Sequence, residues 1–163
     1  MTVIDVAEGD ITTFRADAIG NAANSTLLGG GGVDGAIHRR GGSAILAECR
    51  TLGRHTLPDG LAEGAAVDTT AGNLAASWVI HTVGPRFSRH EETGRACCAP
   101  CYTRSLAVAD GLGARTVAFP LISAGAFGWP TEDAVKQAVA AIRAARTAVD
   151  VVTLVGSSRT SRT

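Results

Sequence analysis

The chain has 163 residues, of which 45% are hydrophobic and 18% are charged, a composition typical of one globular domain rather than of a disordered segment. Its 15 basic and 15 acidic side chains cancel, which argues against a protein that binds nucleic-acid phosphates or anionic membranes through a basic excess. The single lysine, Lys136, lies in no glycine loop, so the lysine-containing phosphate loop of nucleotide hydrolases is excluded.

Apolar and β-branched runs come first along the chain, and helical spacings then alternate with them. The pattern predicts strands at 2–6 and 17–20, a helix at 33–49, a loop at 53–64, strands at 65–70 and 78–83, a helix at 95–109, a strand at 116–120, a helix at 131–148 and a last strand at 149–155. The continuous apolar run in the last strand indicates a sheet that is covered on both faces. We therefore predict an α/β fold with three α/β/α layers and a central mixed β-sheet.

The pattern predicts one domain over 1–156 and a short polar tail at 157–163, without a linker or an internal repeat. No apolar stretch is long enough for a membrane span, and the N-terminal residues do not have the pattern of a signal peptide. Together with the cysteines, this predicts a cytoplasmic protein in a reducing compartment, with no membrane association.

The cysteines raise the question of a metal site. Cys98 and Cys101 have the spacing of half a zinc site or of a redox pair, and Cys97 precedes them. The chain has no second pair of this kind and no matching histidine pair, so buried structural thiols are the favoured interpretation. We expect neither a metal nor a cofactor.

Asn21 and Asn24 lie at the end of the second predicted strand. In open α/β sheets ligands bind at the carboxyl ends of strands, so these amides are candidate ligand contacts. The alternative is turn chemistry, because asparagine bonds its own backbone and tolerates the left-handed conformation.

A run of glycines at 29–32 precedes the next helix. Gly30, Gly32 and Gly35 match G-x-G-x-x-G, but eight residues separate the run from the preceding strand, unlike the dinucleotide-binding fingerprint. Backbone without side chains lets a ligand approach closely, and the helix start behind it favours an anion. A ligand loop is therefore favoured over a plain turn.

Asp34 and His38 are four residues apart on the predicted helix and therefore share one face. Asp34 alone could be an ordinary helix-start charge, and His38 could be a packed or a surface histidine. Beside the glycine run and two asparagines, however, Asp34 becomes a candidate general base or water-positioning group. We expect its carboxylate to point towards a ligand rather than into the core.

A second loop of small residues follows the strand at 116–120. Its residues are Ser123, Ala124, Gly125, Ala126, Phe127 and Gly128. Such a loop suggests backbone amides aimed at phosphates. The Phe127 ring could stack on a ligand, or it could anchor the loop in the core.

Six segments taken together resemble the macrodomain family, in particular its MacroD-like group. They are Gly9-Asp10-Ile11-Thr12, the segment at 17–24 with its Asn-Ala-Ala-Asn motif, the glycine–Asp–His segment at 29–38, Val79-Ile80-His81-Thr82-Val83-Gly84-Pro85, Cys101-Tyr102, and Phe119-Pro120 with 123–128 and Pro130. The matches span residues 3 to about 155 in the order of the family. This group binds ADP-ribose and hydrolyses its esters.

The resemblance implies a role for each matched residue. Asp10 would hold the adenine amino group, and Ile11 would pack on the base. Asn24 would bind the distal ribose, Asp34 would position or activate the attacking water, and His38 would support that site. The remaining expected ligand contacts are Asn21, Gly31, Gly32, Val33, Ser123, Ala124, Gly125, Ala126 and Phe127, with Phe127 near the reacting sugar.

The chain also departs from the family pattern. Ala124 stands where relatives usually have Ser or Thr, so one hydroxyl contact to phosphate is missing. After the last predicted strand, the usual acidic, aromatic-containing turn and terminal helix are replaced by a polar sequence.

Two functions compete at this point. As an enzyme, the chain would remove ADP-ribose from acidic side chains of modified proteins, or acetate from O-acetyl-ADP-ribose. As a reader, it would bind ADP-ribose without turnover. Asp34 together with Asn24 and Phe127 favours the enzyme, because a pure reader does not need a carboxylate beside the distal ribose. Zero net charge and a 4% aromatic content argue against a nucleic-acid partner.

Overall fold

The computed structural model describes residues 2–84, 99–122 and 131–156. The strands of this part are β1 (Val3–Glu8), β2 (Ala18–Ala22), β3 (Ala66–Thr70), β4 (Trp78–Thr82), β5 (Thr116–Pro120) and β6 (Val151–Gly156). The α-helices are α1 (Gly32–Gly41), α2 (Ser43–His55), α3 (Ala99–Leu112) and α4 (Thr131–Ala144), and a 3₁₀ turn spans Ile11–Thr13. None of the helices in these ranges is both long and apolar enough to cross a bilayer.

The strands form one sheet in the order β1-β6-β5-β2-β4-β3. Strand β3 runs antiparallel to β4, and the other neighbouring strands are parallel. The predicted α/β fold with a mixed sheet is therefore confirmed. The polar tail predicted at 157–163 lies outside the described residues, and the domain boundary stays a prediction.

A separate apolar core covers each face of the sheet. On one face, Ile19 and Val79 pack with Ile37 of α1 and Ile45 of α2. On the other face, alternate residues of the same strands pack against α3 and α4; this core includes Ala18, Ile80, Phe119, Tyr102, Leu106 and Ile142. The period-2 alternation of the strands thus accounts for the three predicted layers.

The predicted helix at 33–49 is wrong in one respect, because the chain forms two helices there. Gly42 separates them with φ +88°, a value in the left-handed region. A Cβ on Gly42 would lie 2.9 Å from Nδ2 of Asn73. The break therefore depends on the turn after β3, which is distant in sequence. The second helix continues to His55, into the segment predicted as loop.

Other element ends differ from the sequence prediction for similar reasons. Helix α4 ends at Ala144 rather than at 148, because Asp110 of α3 accepts hydrogen bonds from the Thr147 hydroxyl at 2.7 Å and the Ala148 amide at 2.9 Å. Strand β1 continues to Glu8, where the sequence predicted a turn, because it pairs with β6 as far as Gly156. Helix α3 ends at Leu112, three residues beyond the predicted end.

The central strand β2 lies between β5 and β4. The chain leaves β2 towards α1 on one face of the sheet, whereas α4, which follows β5, lies on the other face. Neighbouring parallel strands with helices on opposite faces create a crevice at their carboxyl ends, where ligands bind in such sheets. The fold thus brings the segment after β2 and the start of the segment after β5 to one edge.

Gly20 lets β2 and β5 lie close together beneath the Phe119 ring. A Cβ on Gly20 would overlap that buried ring, so Gly20→Ala should lower the free energy of unfolding by about 1–3 kcal/mol, the range for overpacked cores. Urea unfolding measures the change. Gly53→Ala is the matched control: no described atom lies within 4 Å of the added methyl, and alanine in a helix should stabilise by about 0.5 kcal/mol. Equal effects of the two substitutions would contradict the packing argument.

Candidate functional site

Asp34 is the centre of the candidate site. It lies in the first turn of α1 and is only 4% exposed. Its Oδ1 accepts a hydrogen bond of 2.9 Å from Nδ2 of Asn21, at the end of β2. Nε2 of His38 lies 3.4 Å from the same oxygen without hydrogen-bond geometry. The helical spacing predicted from sequence therefore brings Asp34 and His38 together.

The two oxygens of the Asp34 carboxylate have different surroundings. Oδ1 belongs to the buried contact with Asn21, whereas Oδ2 has no hydrogen-bond partner among the described residues. Oδ2 lies 3.4 Å from the position that a Cβ on Gly30 would take. The sequence predicted a carboxylate that faces a ligand rather than the core; in the structure one oxygen faces the interior and the other lies next to the glycine loop.

Asn21 lies behind Asp34 rather than in the glycine loop. It is fully buried, and its Nδ2 also lies 3.0 Å from Nδ1 of His81 on the neighbouring strand β4. Nε2 of His81 lies 2.9 Å from the Thr69 hydroxyl on β3. Asn21, predicted as a ligand contact, thus reaches the loop only through Asp34.

His81 and Thr69 are site residues that the sequence analysis did not identify. His81 lies in one of the matched segments, but the sequence predicted no chemical role for it. A histidine within an apolar strand run could have indicated a buried polar contact. Its partner Thr69 could not have been found, because the pairing of β3 with β4 brings the two together.

Burial determines the charge of His81. Desolvation, assisted by the neighbouring His38, lowers the pKa of His81 to about 3, so its ring is neutral at neutral pH. The rings of His38 and His81 lie 6.3 Å apart. A neutral ring at this place leaves Asp34 as the acidic group in the network of Asn21, His81 and Thr69.

The glycine loop at 29–32 packs closely on one side and is open on the other. Nδ2 of Asn24 donates to the Gly29 carbonyl oxygen at 3.0 Å, and a Cβ on Gly35 would overlap the Gly30 carbonyl oxygen. By contrast, no described atom lies within 4 Å of a Cβ built on Gly31 or Gly32. The loop therefore packs against Asn24 and α1 on one side, and no described atom covers Gly31 and Gly32 on the other.

The start of α1 offers backbone donors to this open side. Gly31 is its N-cap residue and has no side chain with which to cap the first turn. The first amides of a helix have no acceptor within the helix, and the helix dipole makes this end partly positive. Gly32 and the half-buried Val33 begin the helix, so their amides form the kind of site that binds phosphate.

Asp10 and Ile11 lie at the start of the 3₁₀ turn that contacts α1. Oδ1 of Asp10 accepts hydrogen bonds from the hydroxyl of Thr12 at 2.7 Å and from its amide at 2.9 Å. These bonds hold the pKa of the Asp10 carboxyl below its usual range. Ile11 is largely buried in the core with Ile37, so only its edge is available to a base.

The second predicted ligand loop lies outside the described residues, as do Cys97 and Cys98. The expected contacts of Ser123, Ala124, Gly125, Ala126 and Phe127 therefore stay predictions. Cys101 is buried, and its thiol donates to the Val83 carbonyl oxygen at 3.3 Å. Within the described ranges, no three His, Cys, Asp or Glu side chains cluster as metal ligands would.

Comparison with known proteins shows which family this fold belongs to. The family model described as "Macro domain" matches residues 20–138 of the chain, which include the end of β2, the glycine loop and Asp34. The chain belongs to the macrodomain family. The fold expected from the resemblance is thereby confirmed.

Two relatives and one solved structure indicate what this macrodomain resembles. It is 58% identical to a macro domain-containing protein of Streptomyces coelicolor, over 95% of this chain and 91% of the relative. It is 50% identical to O-acetyl-ADP-ribose deacetylase 1 of Pantoea vagans, over 93% of this chain and 82% of that protein. The structure of the Oceanobacillus iheyensis macrodomain with ADP is 33% identical, with a TM-score of 0.88, and covers 95% of this chain and 84% of that one.

The buried His81 ring predicts that the macrodomain loses stability on acidification. Its pKa is about 3 in the folded protein, against about 6.5 in an unfolded chain, so between these values the unfolded state binds one more proton. The stability that the neutral His81 contributes is therefore fully present above about pH 6.5 and falls below it, by up to about 1.4 kcal/mol per pH unit.

Urea unfolding between about pH 6.5 and 5 measures this dependence while carboxylates of ordinary pKa remain largely ionised. In His81→Asn the free energy of unfolding should depend less steeply on pH, because the variant lacks the group that takes up a proton on unfolding. Identical slopes would show that His81 is not held neutral by the fold.

Proposed function

We propose that this macrodomain binds ADP-ribose at the carboxyl ends of β2 and β5 and hydrolyses its esters through a water positioned by Asp34. The substrates would be O-acetyl-ADP-ribose and proteins that carry ADP-ribose on acidic side chains. The observation that carries the proposal is the Asp34 carboxylate, which has one oxygen fixed by Asn21 and the other unpartnered beside the glycine loop. The name of the Pantoea relative and the ADP-bound neighbour support the ligand class.

The diphosphate would lie over the open side of the glycine loop. The amides of Gly32 and Val33 would be its donors, because they belong to the first turn of α1 and no described atom lies within 4 Å of a Cβ built on Gly31 or Gly32. These donors supply partial positive charge without a cationic side chain. By the family resemblance, Ser123 to Phe127 would cover the ligand from the other side.

The distal ribose would then lie between Asn24 and Asp34, which flank Gly30 from two sides. A Cβ on Gly30 would lie 2.6 Å from Nδ2 of Asn24 and 3.4 Å from Oδ2 of Asp34, so glycine at this position keeps both groups close to a bound ligand. His38, whose Nε2 lies 3.4 Å from Oδ1 of Asp34, would support the carboxylate. Asn21 would act from behind as a positioning group.

In this scheme Asp34 Oδ2 accepts a proton from the attacking water. The water oxygen adds to the ester carbonyl carbon, or to the anomeric carbon of the ribose, and the ester C–O bond breaks. The products are the free acid and ADP-ribose, and the proton leaves with them or with solvent. General-base assistance of this kind typically contributes about 10²–10⁴ in rate.

The proposal also includes the substrate of the protein and its location in the cell. An ADP-ribosylated protein or O-acetyl-ADP-ribose would be the substrate, in the cytoplasm, without a cofactor. The zero net charge of the chain argues against nucleic acid as a partner.

Asp34→Asn separates catalysis from binding. The variant keeps an oxygen that accepts from Asn21 but replaces Oδ2 with a group that cannot take a proton. We expect kcat on O-acetyl-ADP-ribose to fall by about 10²–10⁴, while calorimetry shows ADP-ribose affinity within about threefold of wild type. Asp59→Asn, an exposed carboxylate in the loop after α2, is the control. Wild-type protein that binds ADP-ribose but turns over no ester would instead identify a reader.

Asp10→Asn tests the proposed adenine contact without removing the turn's cap. An asparagine oxygen can still accept from the Thr12 amide, whereas its NH₂ group cannot accept from an adenine amino group. We expect ADP-ribose binding to weaken by about tenfold to a hundredfold, the equivalent of one hydrogen bond to a charged group, with little change in Tm. Unchanged affinity would refute the assignment.

A further inference from the structure

A directional chain of hydrogen bonds leads from the interior of the sheet to Asp34. The side-chain amide of Asn21 carries two N–H donors, and both have acceptors: Oδ1 of Asp34 at 2.9 Å and Nδ1 of His81 at 3.0 Å. The amide nitrogen cannot accept, so Nδ1 must carry the lone pair. Because the neutral ring has one N–H, that hydrogen lies on Nε2.

Thr69 is the acceptor that fixes this tautomer. Its hydroxyl oxygen lies 2.9 Å from Nε2 of His81, and its own hydrogen is donated to the Thr70 carbonyl oxygen at 2.9 Å. The oxygen is therefore free to accept from the ring. Cys49 Sγ also lies 3.9 Å from Nε2, but burial raises its pKa to about 11, so it stays a neutral thiol and a weak acceptor.

The tautomer in turn decides which way the Asn21 amide faces. If Nδ1 carried the hydrogen, Asn21 would have to present its oxygen to His81. If the amide turned over to do so, that oxygen would also lie beside the carboxylate of Asp34, and two acceptors would face each other in a water-free interior. The Nε2–H form of His81 therefore keeps a donor on Asp34 Oδ1.

We propose that Thr69 and His81 are positioning residues for the reaction proposed above: they hold the Asn21 amide, and through it the Asp34 carboxylate, in the orientation that leaves Oδ2 towards the glycine loop. The inference rests on the proposed function for its catalytic consequence. Thr69, His81 and Asn21 are all fully buried, so they act through Asp34 rather than by touching substrate.

Thr69→Val is the decisive variant, because valine keeps the shape of threonine and removes only the acceptor. Among the described residues, the Cys49 thiol then remains as the polar neighbour of Nε2. A thiol is a better donor than acceptor, so the Nδ1–H tautomer becomes accessible. We expect kcat on O-acetyl-ADP-ribose to fall by about tenfold. KM and ADP-ribose affinity should stay within about twofold. Thr69→Ser, which restores the hydroxyl, should recover most of the lost rate.

Thr82→Val is the matched control. Thr82 is also a fully buried threonine of this part of the sheet, and its hydroxyl donates to the Ala65 carbonyl oxygen at 2.8 Å. It follows His81 in β4, so its side chain points to the opposite face of the sheet from the His81 ring. Thr82→Val should lose stability comparable to Thr69→Val while its kcat stays that of wild type. Equal losses of kcat in both variants would mean general loosening of the sheet and would overturn the proposal.

Nuclear magnetic resonance provides the second readout, independent of turnover. The ¹⁵N shifts of His81 should report the Nε2–H form in wild type and Thr69→Ser, and a mixture of tautomers in Thr69→Val. The ¹³C shift of the Asp34 carboxyl should move in Thr69→Val alone. Wild-type tautomer and carboxyl shifts in Thr69→Val would overturn the positioning role. An inactive wild-type protein would overturn the proposed function. The His81 and Asp34 chemical shifts would still decide whether Thr69 and His81 orient the Asp34 carboxylate.

Discussion

The hydrogen bond from Asn21 to Asp34 joins the end of the central strand to the first turn of α1, and the site depends on it. A buried carboxylate is stable only where donors compensate for lost water. Asn21 supplies that donor from a strand that is itself fixed on both sides, by β4 and β5. The position of the carboxylate is therefore set by the sheet rather than by a loop, which gives the precision that a water-activating group needs.

The sheet also explains why a site forms at this edge. Strands β2 and β5 are parallel neighbours, and Asp17 ties their amino ends together by accepting hydrogen bonds from the amides of Arg115 at 2.8 Å and Thr116 at 3.2 Å. At their carboxyl ends the chain departs to opposite faces. The glycine loop fills one side of the resulting crevice, and Gly35 lets α1 approach the loop so closely that the helix start lies directly beside it.

Within the site, the uncharged polar groups lie in the interior of the sheet and the carboxyl group lies next to the glycine loop. His81 is neutral because it is buried, Asn21 and Thr69 are neutral by nature, and Asp34 supplies the carboxyl group of the series. Asp34 is the one carboxyl group in this series, and its Oδ1 accepts a hydrogen bond from Asn21. The series therefore avoids the repulsion that two neighbouring carboxylates would create. The positive end of α1 lies next to Asp34, so the same helix stabilises its carboxylate and offers amides to an anion.

The sequence by itself determined the α/β class, the number of strands, the glycine loop and the shared face of Asp34 and His38, because these follow from local periodicity and from backbone sterics near each residue. The tertiary structure alone decided which groups meet across the sheet. The pairing of β2 with β4 and of β4 with β3 places His81 beside Asn21 and Thr69 beside His81, which turned an expected ligand contact into a buried support. It also decided the break at Gly42, which depends on Asn73. Such contacts join residues distant along the chain, and no local pattern encodes which strands become neighbours.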